Sequence, residues 1–372
     1  MVDIVKLVDL IDRYKVVVIL GPGGVGKTTC SIATAMAAAR NGKRVGLLSI
    51  DPAKRLAAAL GLSLGNELKE IKVEQPDVNG AGSIEAAMLD QKAVFDAMVL
   101  KHAPTKATAD KILQHKLYVA ASSKLAGPLE YMALAKLYEM VESKKYDLIV
   151  LDTPPDTNAL DFLKRPNLLA GFMENKVMSW MVKPFYLASK LGAGRLFSTG
   201  EKLMGGVAKV TGFKALAMLA EFLVLLQEVI EGFHKTGERI VTILNRPDTG
   251  FFLVSVPALA SGRSAKNLAR QIVNMGFSLD LVLFNRCLPA RIVNLLNDNK
   301  DTSAIKNKVQ LLEKLAKRLE GEQSSIAHIS NSLNDYTDRN VPIHRIEEQD
   351  YDLHSGEGIY RFSQDFETGA ES

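Results

Sequence analysis

Only two cysteines, Cys30 and Cys287, occur among the 372 residues. A disulfide framework or a cysteine-based zinc site within one chain needs more, and such sparing use fits a reducing cytoplasm. Charge of one sign is scarce too. Against 46 lysines and arginines stand 42 acids, and the resulting +4 makes no case for nucleic acid or an anionic membrane. Long apolar runs are missing. The most apolar stretch, Ala215 to Phe233, is broken by Glu221, Gln227, Glu228 and Glu231, short of the roughly 18 charge-free residues a membrane span requires. The opening residues carry Asp3, Asp9 and Asp12 among their apolar positions, so they do not read as a signal peptide. His102, His115, His234, His328, His344 and His354 are scattered without metal-ligand spacing. What remains, 47% hydrophobic and 24% charged, is an ordinary globular composition, expected in the cytoplasm.

Short Val-, Ile- and Leu-rich runs alternate with helical patterns: Val16–Leu20, Val45–Ile50, Leu148–Leu151, Phe251–Val256, Leu281–Phe284 and Val341–Ile346. Near-continuous apolarity predicts strands covered on both faces, hence an α/β fold with a mostly parallel sheet between helices. An alanine-rich helix is predicted over Lys27–Arg40, closed by Asn41-Gly42, and another over Asp301–Glu320, stopped by Gly321. Residues 91–145 and 160–238 lack strand signals. They are expected as insertions forming a helical subdomain within a single domain of residues 1–372, with a frayed tail over 364–372.

The strongest chemical signal is Gly21-Pro22-Gly23-Gly24-Val25-Gly26-Lys27-Thr28-Thr29, between the first strand and the first long helix. It satisfies G-x-x-x-x-G-K-[ST], whose glycines let backbone amides close around phosphate oxygens at a helix N-terminus. Lys27 would reach the β- and γ-phosphates, and the Thr28 hydroxyl would ligate Mg²⁺. Gly21, Gly23 and Gly26 also fit G-x-G-x-x-G, with Asp51 as the ribose acid of a dinucleotide-dependent oxidoreductase, but that motif has no use for Lys27-Thr28.

Asp152 ends the run Asp147–Leu151, where a parallel sheet opens its ligand crevice, and its carboxylate would hold Mg²⁺. Asp51 precedes Pro52 after another strand. It either caps a turn or positions the water that attacks the γ-phosphate, and spacing leaves both open.

Together these residues resemble one family, the ATPases related to the arsenite-pump subunit ArsA and to the targeting factors for tail-anchored membrane proteins. The pieces are the phosphate loop, Asp51-Pro52-Ala53 as a first switch and Asp152-Thr153-Pro154-Pro155 as a second. Leu283–Pro289, with Asn285-Arg286, is similar to the family's adenine-binding segment. The resemblance runs from about Arg13 to Phe366 and, through Asp152–Pro166, leans toward a bacterial branch. It implies a Mg-dependent ATPase in which Asp51 positions water and Asn285 reads adenine, working as a dimer that switches conformation during ATP hydrolysis.

Three departures bear on that expectation. The family's signature lysine, second in the loop and aimed at the partner's nucleotide, is Pro22 here, with neither charge nor backbone donor. That leaves open a homodimer, or a heterodimer with a paralogue in which this chain is an ATP-binding regulatory subunit. Two cysteines give no trithiol for arsenite, and no C-x-x-C is present for a zinc-bridged dimer. Finally, residues 172–233 combine methionines, aromatics and lysines with several glycines. They predict a client-binding or membrane-peripheral surface for a hydrophobic helix, or a buried helical core with solvated lysines.

Overall fold

The computed structural model describes residues 7–50, 56, 69–71, 82–88, 91–122, 129–153, 211–298, 306–334, 336–337, 340–351, 353 and 356–368. Helix α1 (Leu7–Ile11) precedes strand β1 (Val16–Leu20), helix α2 (Lys27–Arg40) and strand β2 (Arg44–Ser49). Strands β3 (Lys69–Ile71) and β4 (Ser83–Met88) follow. Helices α3 (Gln91–His102), α4 (Lys106–Gln114), α5 (Lys116–Ser122) and α6 (Leu129–Glu142) lead to β5 (Leu148–Asp152). After α7 (Thr211–Leu244) come β6 (Thr249–Ser255), α8 (Leu259–Asn274), β7 (Leu279–Cys287) and α9 (Ala290–Asp298). Helix α10 (Lys306–Asn334), β8 (Ile343–Glu347) and α11 (Gly356–Thr368) complete the order.

The strands form one sheet in the order β3-β4-β2-β5-β1-β6-β7-β8. Every pairing is parallel except β3 with β4, at one edge. This is the expected α/β architecture. In β1 the whole burial pattern is closed, as strands covered on both faces require. Alternate residues of six strands (Val17, Leu47, Ile84, Val150, Phe252 and Leu283 among them) join α1, α2 and α11 in one buried cluster. The alanines of α2 contribute little bulk, so this helix can lie close to the sheet. Its end is closed by Gly42 at φ +84, whose amide bonds the Ala39 carbonyl at 3.0 Å.

Three elements depart from the expectation. β3 and β4 carry Glu70 and Glu85 and, in β4, two alanines, so neither reads as an apolar run. Helix α10 does not stop before Gly321 but runs on to Asn334. Buried Ser325, Ile329 and Leu333 continue its inner face, and that packing outweighs the roughly 1 kcal/mol cost of a mid-helix glycine. The expected helix start, 301–305, lies outside the described residues.

Backbone contacts divide the chain into two units. One comprises Met1–Leu89, Lys136–Leu163 and Thr242–Ser372 and holds the whole sheet. The other comprises Asp90–Ala135 and Lys164–Val241. Within the second, the described residues form helices joined by short connections. His115 stacks on Phe222 with ring centroids 4.7 Å apart, and the Tyr118 hydroxyl donates to Asp96. Thr105 caps α4, its hydroxyl accepting the Thr108 amide at 3.1 Å. Among the described residues, no helix is long and apolar enough to cross a membrane.

Candidate functional site

The phosphate-loop residues Gly21, Gly23, Gly24, Val25, Gly26, Lys27, Thr28 and Thr29 leave the C-terminal end of β1 and enter α2. Gly26 is the residue before the helix, at φ +94 and ψ 26, and no side chain caps that terminus. The first-turn amides of such a helix seek an acceptor from elsewhere, and its partial positive charge favours an anion. Lys27 is 6% exposed. Its ammonium donates to the carbonyls of Gly21 at 2.8 Å and Pro22 at 2.9 Å, so the loop curls around the lysine head.

β1 lies between β5 and β6, with Ile19 opposite Asp152 and Leu20 opposite Leu253. That register places Asp152 beside the loop. The Asp152 carboxylate, fully buried, accepts hydroxyl bonds from Thr28 at 2.9 Å, Ser49 at 2.9 Å and Ser31 at 3.2 Å. Burial pushes its pKa up to about 6, against the pull of the Ser49 and Thr28 hydroxyls and the Lys27 charge. One carboxylate ringed by hydroxyls is an all-oxygen donor set, which fits a hard divalent cation such as Mg²⁺. Thr28 and Asp152, predicted as the metal pair, thus stand together. Ser31 and Ser49 were not foreseen. Nothing in a lone serine at the end of β2 or near the start of α2 distinguishes it until β5 is set between them.

The Cys30 thiol lies buried in the same region, pushed up to about 12 by its burial and by the Asp152 charge. Asp51, Pro52, Ala53, Pro154 and Pro155 lie outside the described residues, so the expected first switch falls wholly outside them and the second is represented by Asp152 and Thr153 alone. Thr153 ties the second segment back to β1, its hydroxyl donating to the Ile19 carbonyl at 2.8 Å.

Asn285 and Arg286 sit at the end of β7. Asn285 is buried, and its amide nitrogen donates to the Val25 carbonyl at 2.9 Å while its oxygen accepts the Arg286 amide at 2.9 Å. The predicted adenine reader therefore also braces the phosphate loop. Arg286 is exposed and takes φ +61, a left-handed conformation that non-glycine residues adopt only when held there. It is held by Arg318 of α10, which donates to its carbonyl at 3.2 Å. Arg318 also meets Glu322 at 2.9 Å and Glu348 at 2.7 Å, and Glu322 accepts the Leu288 amide at 2.9 Å. Sequence reasoning assigned α10 no role. An arginine four residues before a glutamate on a helix reads as a solvated ion pair, and the partners that make it more lie some 30 residues away.

A cleft of about 480 Å³ opens at the ends of β6, β7 and β8, between Val256–Ala258, Arg286, Arg318 and Glu348. The glycine-rich loop, the Thr28–Asp152 pair and this cleft all belong to the unit that holds the sheet, at the carboxyl ends of its strands, where open parallel sheets take their ligands.

Known proteins resemble this chain in sequence. An ATPase ASNA1 homolog of Entamoeba dispar is 26% identical over 297 residues, 78% of this chain and 80% of that protein. A putative arsenical pump-driving ATPase 2 of Aquifex aeolicus is 24% identical over 315 residues, 83% of this chain and 90% of that one. ATPase GET3 of Kluyveromyces lactis is 32% identical over a shorter 166 residues, 41% of this chain and 46% of its own length. A family model described as anion-transporting ATPase matches residues 14–347, and it leaves the oxidoreductase alternative without support. The chain belongs to the ArsA_ATPase family of anion-transporting ATPases.

Proposed function

We propose that this ATPase binds Mg-ATP with the phosphates against Gly21–Thr29 and the adenine beside Asn285, and that hydrolysis drives a conformational switch in a dimer coupled to a client. The observation that carries the proposal is the bond between Thr28 and Asp152, which unites two predicted metal ligands from segments 124 residues apart. Thr28 and Asp152 would hold Mg²⁺, which when bound supplies charge neutralisation for the β- and γ-phosphates. Lys27 exchanges the carbonyls of Gly21 and Pro22 for phosphate oxygens, adding its charge where negative charge builds up. Asp51 accepts a hydrogen bond from the attacking water and aligns it. Release of phosphate then frees the segments after β2 and β5 together, since Ser49 and Asp152 are bonded to each other.

The client is a hydrophobic membrane-protein segment, taken up by residues 172–233, or an anionic cargo, with the protein cytoplasmic and at most peripheral to a membrane. Of that stretch, 172–210 lie outside the described residues. Phe222, Leu223, Val229 and Ile230 on α7 are buried, so they would serve a client only in a state that uncovers them. A relative named for an arsenical pump sets the anionic alternative beside the hydrophobic one.

A second reading is favoured by Pro22, which puts no charge at the loop's second position. In it the chain binds ATP, hydrolyses it little alone, and pairs with a paralogue that supplies a lysine. Phosphate release from Mg-ATP by the purified chain, measured over a wide protein concentration range with Asp51→Asn as control, tests both. Specific turnover that rises with concentration and dies in the mutant supports the homodimeric ATPase. Tight ATP binding without turnover supports the heterodimer, and absence of ATP binding refutes both.

A further inference from the structure

The turn from Asn285 to Leu288 is held almost entirely by side chains. Arg286 gives its amide to Asn285 Oδ1 and its carbonyl to Arg318, and the Leu288 amide goes to Glu322. The Cys287 carbonyl accepts the Glu348 amide at 2.7 Å. Sheet register between β7 and β8 shifts between Phe284 and Cys287, so the ladder skips Asn285 and Arg286 and resumes only at Cys287, opposite Glu347. A left-handed arginine there persists only because these contacts over-determine it.

The guanidinium of Arg318 is the hub. Nε meets Glu322, Nη2 meets both Glu348 and the Arg286 carbonyl, and its planar fork serves three acceptors at once. Glu322, 3% exposed, spends one oxygen on Arg318 and the other on Leu288, which is how its buried charge is tolerated. The cleft walled by this group carries two cationic side chains, Arg286 and Arg318, and two anionic ones, Glu322 and Glu348. Their charges cancel. Such a wall favours an uncharged polar body over a phosphate, in contrast to the loop around Lys27. The volume of about 480 Å³ lies in the range of small-molecule sites.

We propose that Arg318, clamped by Glu322 and Glu348, is a positioning residue for the nucleobase end of the nucleotide: it holds the Asn285–Leu288 turn in the shape that receives the base. This rests on the ATP-binding function proposed above. Arg318 acts through the turn, and Asn285 keeps its own bond to Val25, so the phosphate loop does not depend on the brace.

The test is calorimetric titration of the full chain with Mg-ATP and with Mg-tripolyphosphate, which has the phosphates but no base. Arg318→Ala is expected to weaken Mg-ATP by about tenfold, as for loss of a charge-assisted anchor, with tripolyphosphate unchanged. Glu348→Gln, a half-exposed and nearly isosteric change, is expected to give the same pattern at about threefold. Arg318→Lys should recover only part of the loss, because an ammonium cannot span the three acceptors. Unchanged ATP affinity in Arg318→Ala, or equal losses for both ligands in Arg318→Ala and Glu348→Gln, would overturn the brace while leaving the ATPase reading intact. A wild-type chain that does not bind Mg-ATP would overturn both.

Discussion

Gly26 and Asn285 are packed so closely that a Cβ on the glycine would overlap the asparagine amide nitrogen. The same glycine has φ +94, outside the comfortable range of any other residue. Gly26→Ala therefore meets strain and overlap together. The expected result is a loss of about 1–3 kcal/mol in urea unfolding, with Mg-ATP binding lost as the loop and Asn285 are pushed apart. A stable variant that still binds ATP would contradict the tight packing of these two residues.

Asp152 sets a pH dependence whose sign is opposite to that of a salt-bridged carboxylate. Its folded pKa is about 6, raised by burial from an ordinary value of 3.8, so between these limits the folded chain binds more protons than the unfolded one. Without metal, the contribution of this group to stability is full below about pH 4 and lost as the pH rises through 6. Two units at 1.36 kcal/mol each make this on the order of 3 kcal/mol. Urea unfolding from pH 4 to 8 should show that decline in wild type and its absence in Asp152→Asn. Excess Mg²⁺ should reduce it, since a cation favours the ionised form.

Ser49→Ala removes one of the three hydroxyls that solvate the buried Asp152 carboxylate. The expected cost at pH 7.5 is about 1.5–3 kcal/mol, the usual worth of a hydrogen bond to a charged group, and half-saturation by Mg²⁺ should shift upward. A loss of stability that disappears at pH 4, where Asp152 is protonated, would tie the effect to that carboxylate.

Both thiols should be inert in the native state. Cys30 is pushed up to about 12 and Cys287 to about 11, in each case chiefly by burial. At pH 8 the thiolate fraction of Cys30 is on the order of one in ten thousand. Iodoacetamide labelling followed by mass spectrometry should therefore report unfolding, rising with urea along the same curve as the loss of helix signal. Rapid labelling of either cysteine in the folded chain would refute this.

Much of this fold was legible because its strands are short apolar runs separated by long helices. β1 and α2 begin and end where hydrophobicity, the glycine loop and Asn41-Gly42 place them. β4 was not legible. Its Glu85 is answered by Lys145 and by the Tyr146 hydroxyl, 60 residues on, and no local pattern announces those partners. The site divides along the same line. Gly21–Thr29 is contiguous in sequence, and Asp152 ends an apolar run, so both could be read directly. Ser31, Ser49, Arg318 and Glu322 matter through bonds to segments far away in the chain, which only the folded sheet brings near. The role of Asn285 at the loop was hidden for the same reason: its partner is Val25, 260 positions earlier.

The position of β1 has a consequence for how the chain is made. This strand lies inside the sheet, paired on one side with β5 and on the other with β6. During synthesis Val16–Leu20 emerge early, yet the second neighbour is not finished until Ser255. At roughly 5–20 residues per second that wait is on the order of 10–50 seconds. Throughout it, a five-residue run of valine, isoleucine and leucine that ends fully buried has no completed sheet to enter. A nascent chain of this kind is expected to lean on ribosome-associated chaperones, and to be more prone to aggregate when translation slows between β5 and β6 than when it slows after β8.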